Sequence, residues 1–178
     1  MSKKLKYHYF VEGEDEECLI NVLKSDIQCI QTGKVHVFNV IQNRFTKLRV
    51  RNFSMNTVAI FVFDTDVETN LDILRANIEF LSKQKCIKEV ICIPQIRNLE
   101  DELIRACRIK KVTEITNSQS LKNFKTDLIG CSDLDKRLLK CGFDVSKFWS
   151  SSAKNCFSEF ENNANKIILK NRRSKIQR

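Results

Sequence analysis

Thr57-Val58-Ala59-Ile60-Phe61-Val62-Phe63-Asp64-Thr65-Asp66 is the stretch on which the reading of this chain turns. From Thr57 to Phe63 it is a nearly unbroken run of apolar, β-branched and aromatic residues, the pattern of a strand buried on both faces of a sheet. Such strands belong to α/β folds, where ligands gather beyond the carboxyl ends of the strands. The run ends there on two carboxylates. Residues two apart on an extended segment point the same way, so Asp64 and Asp66 are expected to present their oxygens to one point. Carboxylates held that close repel unless a proton or a cation lies between them, and Mg2+ is the usual hard-oxygen answer. The competing reading is that the two aspartates open a loop and cap the helix that follows.

Upstream, Leu5 to Val11 alternates and then becomes continuously apolar, a first strand that stops at Glu12-Gly13. A helix is expected from Glu14 to Lys24, with Glu14, Asp15, Glu16 and Glu17 favourable at the positive end of its dipole. Glu12 stands before that helix, and Gly13 is read as permitting the turn that aims Glu12 over the sheet edge. Ile27 to Ile30 and Val35 to Val40 read as short strands. Gln42 to Met55 is polar and basic, carrying Arg44, Lys47, Arg49 and Arg51 on either a strand or a helix. That segment is a phosphate-contacting loop or a solvated surface.

Downstream, Leu71, Leu74, Ile78 and Leu81 recur at helical spacing within Asn70 to Gln84. Glu89 to Ile93 is another buried strand, expected to stop at Pro94. Asn98 opens a helix running to about Arg108, and its acids read first as capping residues. Glu100 and Asp101 nevertheless emerge at the same sheet edge and are candidate metal ligands. Beyond Ile109, Ser118 to Ile129, Ser132 to Lys140 and Val145 to Lys170 read as helices. The expected organisation is therefore a catalytic α/β domain over residues 1–110 and a helical, basic C-terminal extension over 111–178. Lys170, Arg172 and Arg173 lie in a tail that reads as an arm gripping nucleic acid or as a frayed basic end.

Composition narrows the function classes. The chain has 178 residues and a formal net charge of +9, from 31 Lys plus Arg against 22 Asp plus Glu, which favours a polyanionic partner such as RNA or DNA. No apolar run reaches the roughly 20 residues that cross a bilayer, and the basic start leads into a strand rather than a signal-peptide core. Cys18, Cys29, Cys86, Cys92, Cys107, Cys131, Cys141 and Cys156 are scattered without a Cys-x-x-Cys pair, so reduced core thiols and a cytoplasmic setting are expected. His8 and His36 both fall inside strands, which argues against a histidine metal site or a Ser-His-Asp triad. The glycine-rich phosphate loops of Rossmann and P-loop proteins are absent.

Val11-Glu12-Gly13-Glu14-Asp15-Glu16 after one strand and Phe63-Asp64-Thr65-Asp66 after a later one resemble the Toprim domain. That domain occurs in topoisomerases, bacterial primases, recombination mediators, small ribosomal-RNA-maturing ribonucleases and overcoming-lysogenization-defect nucleases. The resemblance covers about Lys4 to Arg108 and implies a Toprim-like Rossmannoid fold, a central mostly parallel sheet flanked by helices. It further implies that Asp64 and Asp66 hold Mg2+ or Mn2+, and that Glu12 is a further ligand or the general acid/base of phosphoryl transfer. The chain departs from many relatives in following its Asp-x-Asp with Val67-Glu68-Thr69-Asn70 rather than a glycine-rich turn. Topoisomerases need a nucleophilic tyrosine on a separate domain, whereas Tyr7 and Tyr9 lie in the first strand. Primases and recombination mediators need zinc modules that this cysteine spacing does not supply. The implied function is a metal-dependent nuclease acting on RNA or DNA. The alternative is a non-catalytic module binding nucleic acid or a protein partner, for example in phage defence, with a homo-oligomer also open.

Overall fold

The computed structural model describes residues 4–66 and 70–169. Four strands form one all-parallel sheet in the order β2-β1-β3-β4: β1 Lys6–Val11, β2 Gly33–Val37, β3 Thr57–Asp64 and β4 Ile87–Gln95. The chain is an α/β protein of Rossmann-like architecture. Parallel strands need crossovers, and these are supplied by α1 Glu14–Ser25 between β1 and β2 and by α3 Asp72–Ser82 between β3 and β4. The β2–β3 connection carries a single helical turn, α2 Lys47–Val50. After β4 come α4 Leu99–Ala106, the short α5 Thr113–Thr116, α6 Leu121–Ile129 and α7 Leu134–Lys140.

The period-2 alternation of the strands sorts side chains onto two cores. Tyr9, Val11, Val58, Ile60, Val62, Ile91 and Ile93 face α1, α4, α6 and α7, packing with Leu19, Leu103, Phe124 and Leu138. Phe10, Ala59, Phe61, Phe63, Val90 and Cys92 face the other way, onto Leu74 and Leu81 of α3 and an aromatic group that includes Phe38, Phe45, Phe157 and Phe160. β3 is buried along Thr57 to Phe63, as its composition predicts. The helices after residue 111 share the first core with β1 and β3, so both parts of the chain bury the same apolar surface.

Several elements differ from the sequence expectations. Ile27 to Ile30 is no strand; Ile30 makes one isolated antiparallel bridge to Ile168. Pro94 does not end β4, which runs on to Gln95. An edge strand tolerates a residue without an N–H, and β4 pairs only with β3. Val145 to Leu169 is not a helix but an irregular strap with 3-10 turns at Asn155–Phe157 and Ala164–Lys166. Its Phe148 and Trp149 belong to the first core and its Phe157 and Phe160 to the second, so it must cross the sheet edge, which no straight helix can do. Trp149 and Asn155 take positive φ on the way, and Asn163 N–H covers the β4 edge by donating to Cys92 O at 3.0 Å.

Among the described residues no helix is long and apolar enough to cross a membrane. All eight cysteines are free thiols.

Candidate metal and phosphate site

In the order β2-β1-β3-β4 the chain first steps to one side of β1 and then returns to its other side. The direction therefore reverses between β1 and β3, and open α/β sheets bind ligands at that switch point, outside the carboxyl ends. Glu12 follows β1 and Asp64 ends β3. The backbone N–H of Asp64 donates to Glu12 Oε1 at 3.2 Å, and Asn39, just past β2, donates from Nδ2 to Glu12 Oε2 at 3.0 Å. The side chain is thus fixed by one donor from each neighbouring strand end. Gly13 has extended backbone rather than the left-handed conformation expected of a tight turn. A Cβ there would stand 2.5 Å from Asp15 Oδ1, so any side chain at this position requires the Asp15 carboxylate to move.

Glu16 enters the same site. It is buried, and its Oε2 accepts from the N–H groups of Glu12 (2.6 Å) and Gly13 (3.1 Å), the side-chain half of a capping box. Gln95, at the end of β4, turns its amide so that the nitrogen donates to Asp64 Oδ1 at 2.6 Å and Glu16 Oε1 at 2.8 Å. Thr65 pins the two strand ends: its N–H donates to Arg97 O (2.9 Å), its hydroxyl to Gln95 O (2.8 Å), and Arg97 N–H donates to that hydroxyl at 3.0 Å.

The electrostatics follow from crowding acids at a half-dry edge. Burial, then Glu16, Glu12, Asp66 and Glu100, push the Asp64 carboxyl up to about 9. Burial also pushes Glu16 up to about 7, against the two backbone donors that favour its charged form. Glu12 is raised by burial and by Asp66 and Asp15, with the Asp64 N–H and Lys125 opposing. Lys125 reaches across from α6, pairing with Asp15 at 3.2 Å and Glu100 at 3.6 Å. Burial depresses its ammonium, but Asp15, Glu100 and Asp64 outweigh that and leave it raised.

Of the residues expected from sequence, the fold brings Glu12, Asp64, Asp66 and Glu100 to one edge. Asp66 lies in an exposed bend after β3 rather than on the strand itself, near enough to push up both the Asp64 and the Glu12 carboxyls. Asp101 turns aside to Arg97, 3.0 Å away, and its backbone N–H is capped by Asn98. Arg44, Lys47, Arg49 and Arg51 are exposed on the β2–β3 connection, where Arg49 lies 4.2 Å over the Phe38 ring. Among the described residues none of the four bonds to Glu12, Asp64 or Asp66. Lys170, Arg172 and Arg173 lie outside the described residues.

Sequence reasoning missed four participants. Glu16 is legible afterwards as a capping-box glutamate, and Asn39 and Gln95 as polar residues closing apolar runs. Lys125 carries no local signal at all.

The donor set suits a hard cation, being made of carboxylate oxygens whose repulsion is relieved on Asp64 by a proton. Among the described residues no three His, Cys, Asp or Glu side chains form a ready-made ligand group. Mg2+ is commonly held by one or two carboxylates, with water and substrate phosphate completing its shell, and paired carboxylates are what this edge offers.

In comparisons with protein families, curated proteins and solved structures, nothing matches the chain.

Proposed function

We propose that this protein is a Toprim-type, metal-dependent nuclease that hydrolyses phosphodiester bonds of RNA or DNA. The observation that carries the reading is the Asp64 N–H bond to Glu12 at the switch point of the sheet, which joins the two motif residues in one acid-rich edge. Asp64 and Asp66, with Glu12 beside them, would hold Mg2+ or Mn2+. These residues would hold the ion where its charge would polarise the phosphate and lower the pKa of an attacking water. The protein's own contributions are distinct. Glu12, held by Asn39 and the Asp64 N–H, keeps a proton to higher pH than a free glutamate and would be the group that moves one during cleavage. Gln95 bridges Asp64 and Glu16 by donating its amide hydrogens to both carboxyls. Positive net charge and the free state of all eight thiols support a nucleic-acid partner and a cytoplasmic setting.

A second reading is a non-catalytic Toprim module that binds nucleic acid or a protein partner, for example in a phage-defence system. It is favoured by Lys125, which already neutralises part of the edge. Incubating purified protein with labelled RNA and DNA, in Mg2+, in Mn2+ and in EDTA, separates the two. Cleavage in either metal that EDTA stops supports the nuclease; binding without cleavage supports the module.

A further inference from the structure

Next to the acid-rich edge, a cleft of about 610 Å3 opens between the β4–α4 turn and the segment that leads into α5. Its lining includes Arg97, Glu100, Ile104, Lys110, Lys111 and Leu121. Glu100 belongs to both places, since it also pairs with Lys125 at the carboxylates. Three cations therefore stand around a cavity that begins where the reacting phosphate is proposed to lie.

Both walls are held rigid. Arg97 has φ of 71°, a conformation rare for a residue with a side chain, and it is held there by Thr65, whose N–H donates to Arg97 O and whose hydroxyl accepts from Arg97 N–H. The residue between the two motif aspartates thus sets the position of Arg97. On the opposite wall Glu114 Oε1 accepts from the N–H groups of both Lys110 (2.9 Å) and Lys111 (2.8 Å), locking that turn. The lysine side chains are exposed and make no ion pair among the described residues. Among the described residues Arg97 pairs with Asp101 from an exposed side chain, an interaction of small worth that a phosphate can replace. Ile104 and the exposed Leu121 add apolar surface between these cations.

We propose that this cleft takes the single-stranded segment of nucleic acid that flanks the scissile phosphate, with Arg97, Lys110 and Lys111 on its phosphates and Ile104 and Leu121 against a base. This inference rests on the nucleic-acid reading above and adds where the strand lies. The volume falls in the range of roughly 300–1,000 Å3 that encloses a small-molecule-sized ligand, which admits a splayed nucleotide and excludes the convex body of a duplex. Single strands are gripped without regard to sequence by a positively charged groove with a flat, usually aromatic, face for the bases; here the apolar face is supplied by Ile104 and Leu121.

The test is fluorescence anisotropy in EDTA, across a salt series, with labelled single-stranded RNA and DNA and a duplex of the same sequence. Wild type is compared with Lys110→Gln/Lys111→Gln, with Arg97→Gln, and with Lys85→Gln/Lys88→Gln, exposed at the opposite end of β4, as the surface control. All these side chains are exposed, and an unchanged melting temperature verifies folding. Each lost phosphate contact should lower the log-log salt slope on single strands by about 0.7, hence about 1.4 for the double lysine variant, with the surface control unchanged. An unchanged slope in the cleft variants, an equal loss on the duplex, or a wild type that binds no oligonucleotide overturns the proposal. Cleavage assays on the same proteins separate the two readings. Cleft-dependent binding without any metal-dependent cleavage leaves the cleft standing and removes the nuclease; cleavage with unchanged KM in the cleft variants does the reverse.

Discussion

Glu12 and Asp64, 52 residues apart in the chain, are joined by a hydrogen bond from the Asp64 backbone N–H to Glu12 Oε1. The other Glu12 oxygen accepts from Asn39 Nδ2, and Asn39 has no freedom to turn its amide, because its Oδ1 already accepts from the N–H groups of Ile41 (2.9 Å) and Gln42 (3.0 Å). Both Glu12 oxygens are therefore facing donors. A glutamine at this position must point its own NH2 at one of them.

Glu12→Gln should consequently cost about 1–3 kcal/mol of stability for the unsatisfied donor, besides its effect on chemistry. If Glu12 moves a proton, turnover should fall by roughly a hundredfold to ten-thousandfold at every Mg2+ concentration. If it is mainly a ligand, raising Mg2+ should restore much of the rate. Wild-type turnover and stability together would remove Glu12 from the site.

Asp64→Ala and Asp66→Ala should each abolish divalent-ion-dependent cleavage while the protein stays folded, because each removes one of several mutually repelling carboxylates. The readouts are product formation and circular dichroism. Full activity in either variant is incompatible with the proposed metal ligands.

The metal-free protein should lose stability as pH rises. Asp64 has its folded-state value pushed up to about 9 and Glu16 to about 7, above the ordinary 3.8 and 4.5, so between those limits the native state binds more protons than the unfolded chain. The stabilisation is fully present below pH about 4 and is lost as pH rises through about 7 and then about 9. Melting temperature in EDTA should fall from pH 6 to pH 9, and Asp64→Asn should flatten that fall. Mg2+ at pH 9 should raise the melting temperature of wild type and not of the variant, since only the former offers the charged ligand.

Glu102 is wholly buried and acts as a structural tie. Its Oε1 accepts from Ile96 N–H (2.8 Å) and pairs with Arg105 (2.6 Å), while Oε2 accepts from Trp149 N–H (3.0 Å). Glu102→Ala leaves those donors unanswered and should cost about 3 kcal/mol, measured by urea denaturation. Little loss would mean that water or a rearranged strap replaces the carboxylate.

The sequence by itself determined the parallel sheet and the two acidic strand ends. A run such as Thr57 to Phe63 can be buried on both faces only in a covered sheet, and the turn residues after Val11 and Phe63 mark where the strands stop. These are local properties, because periodicity and capping act over a few residues. Tertiary structure alone decided the rest. Glu16, Gln95 and Lys125 come from three separate elements; Gln95 joins Glu16 to Asp64, and Lys125 reaches Asp15 and Glu100 beside them, only because the strand order places β1 and β4 on either side of β3 and packs α6 over α1. Likewise the strap after Val145 reads as a helix by composition, yet it serves two cores on opposite faces of the sheet. Long-range burial outweighs the modest helix preference of each of its residues.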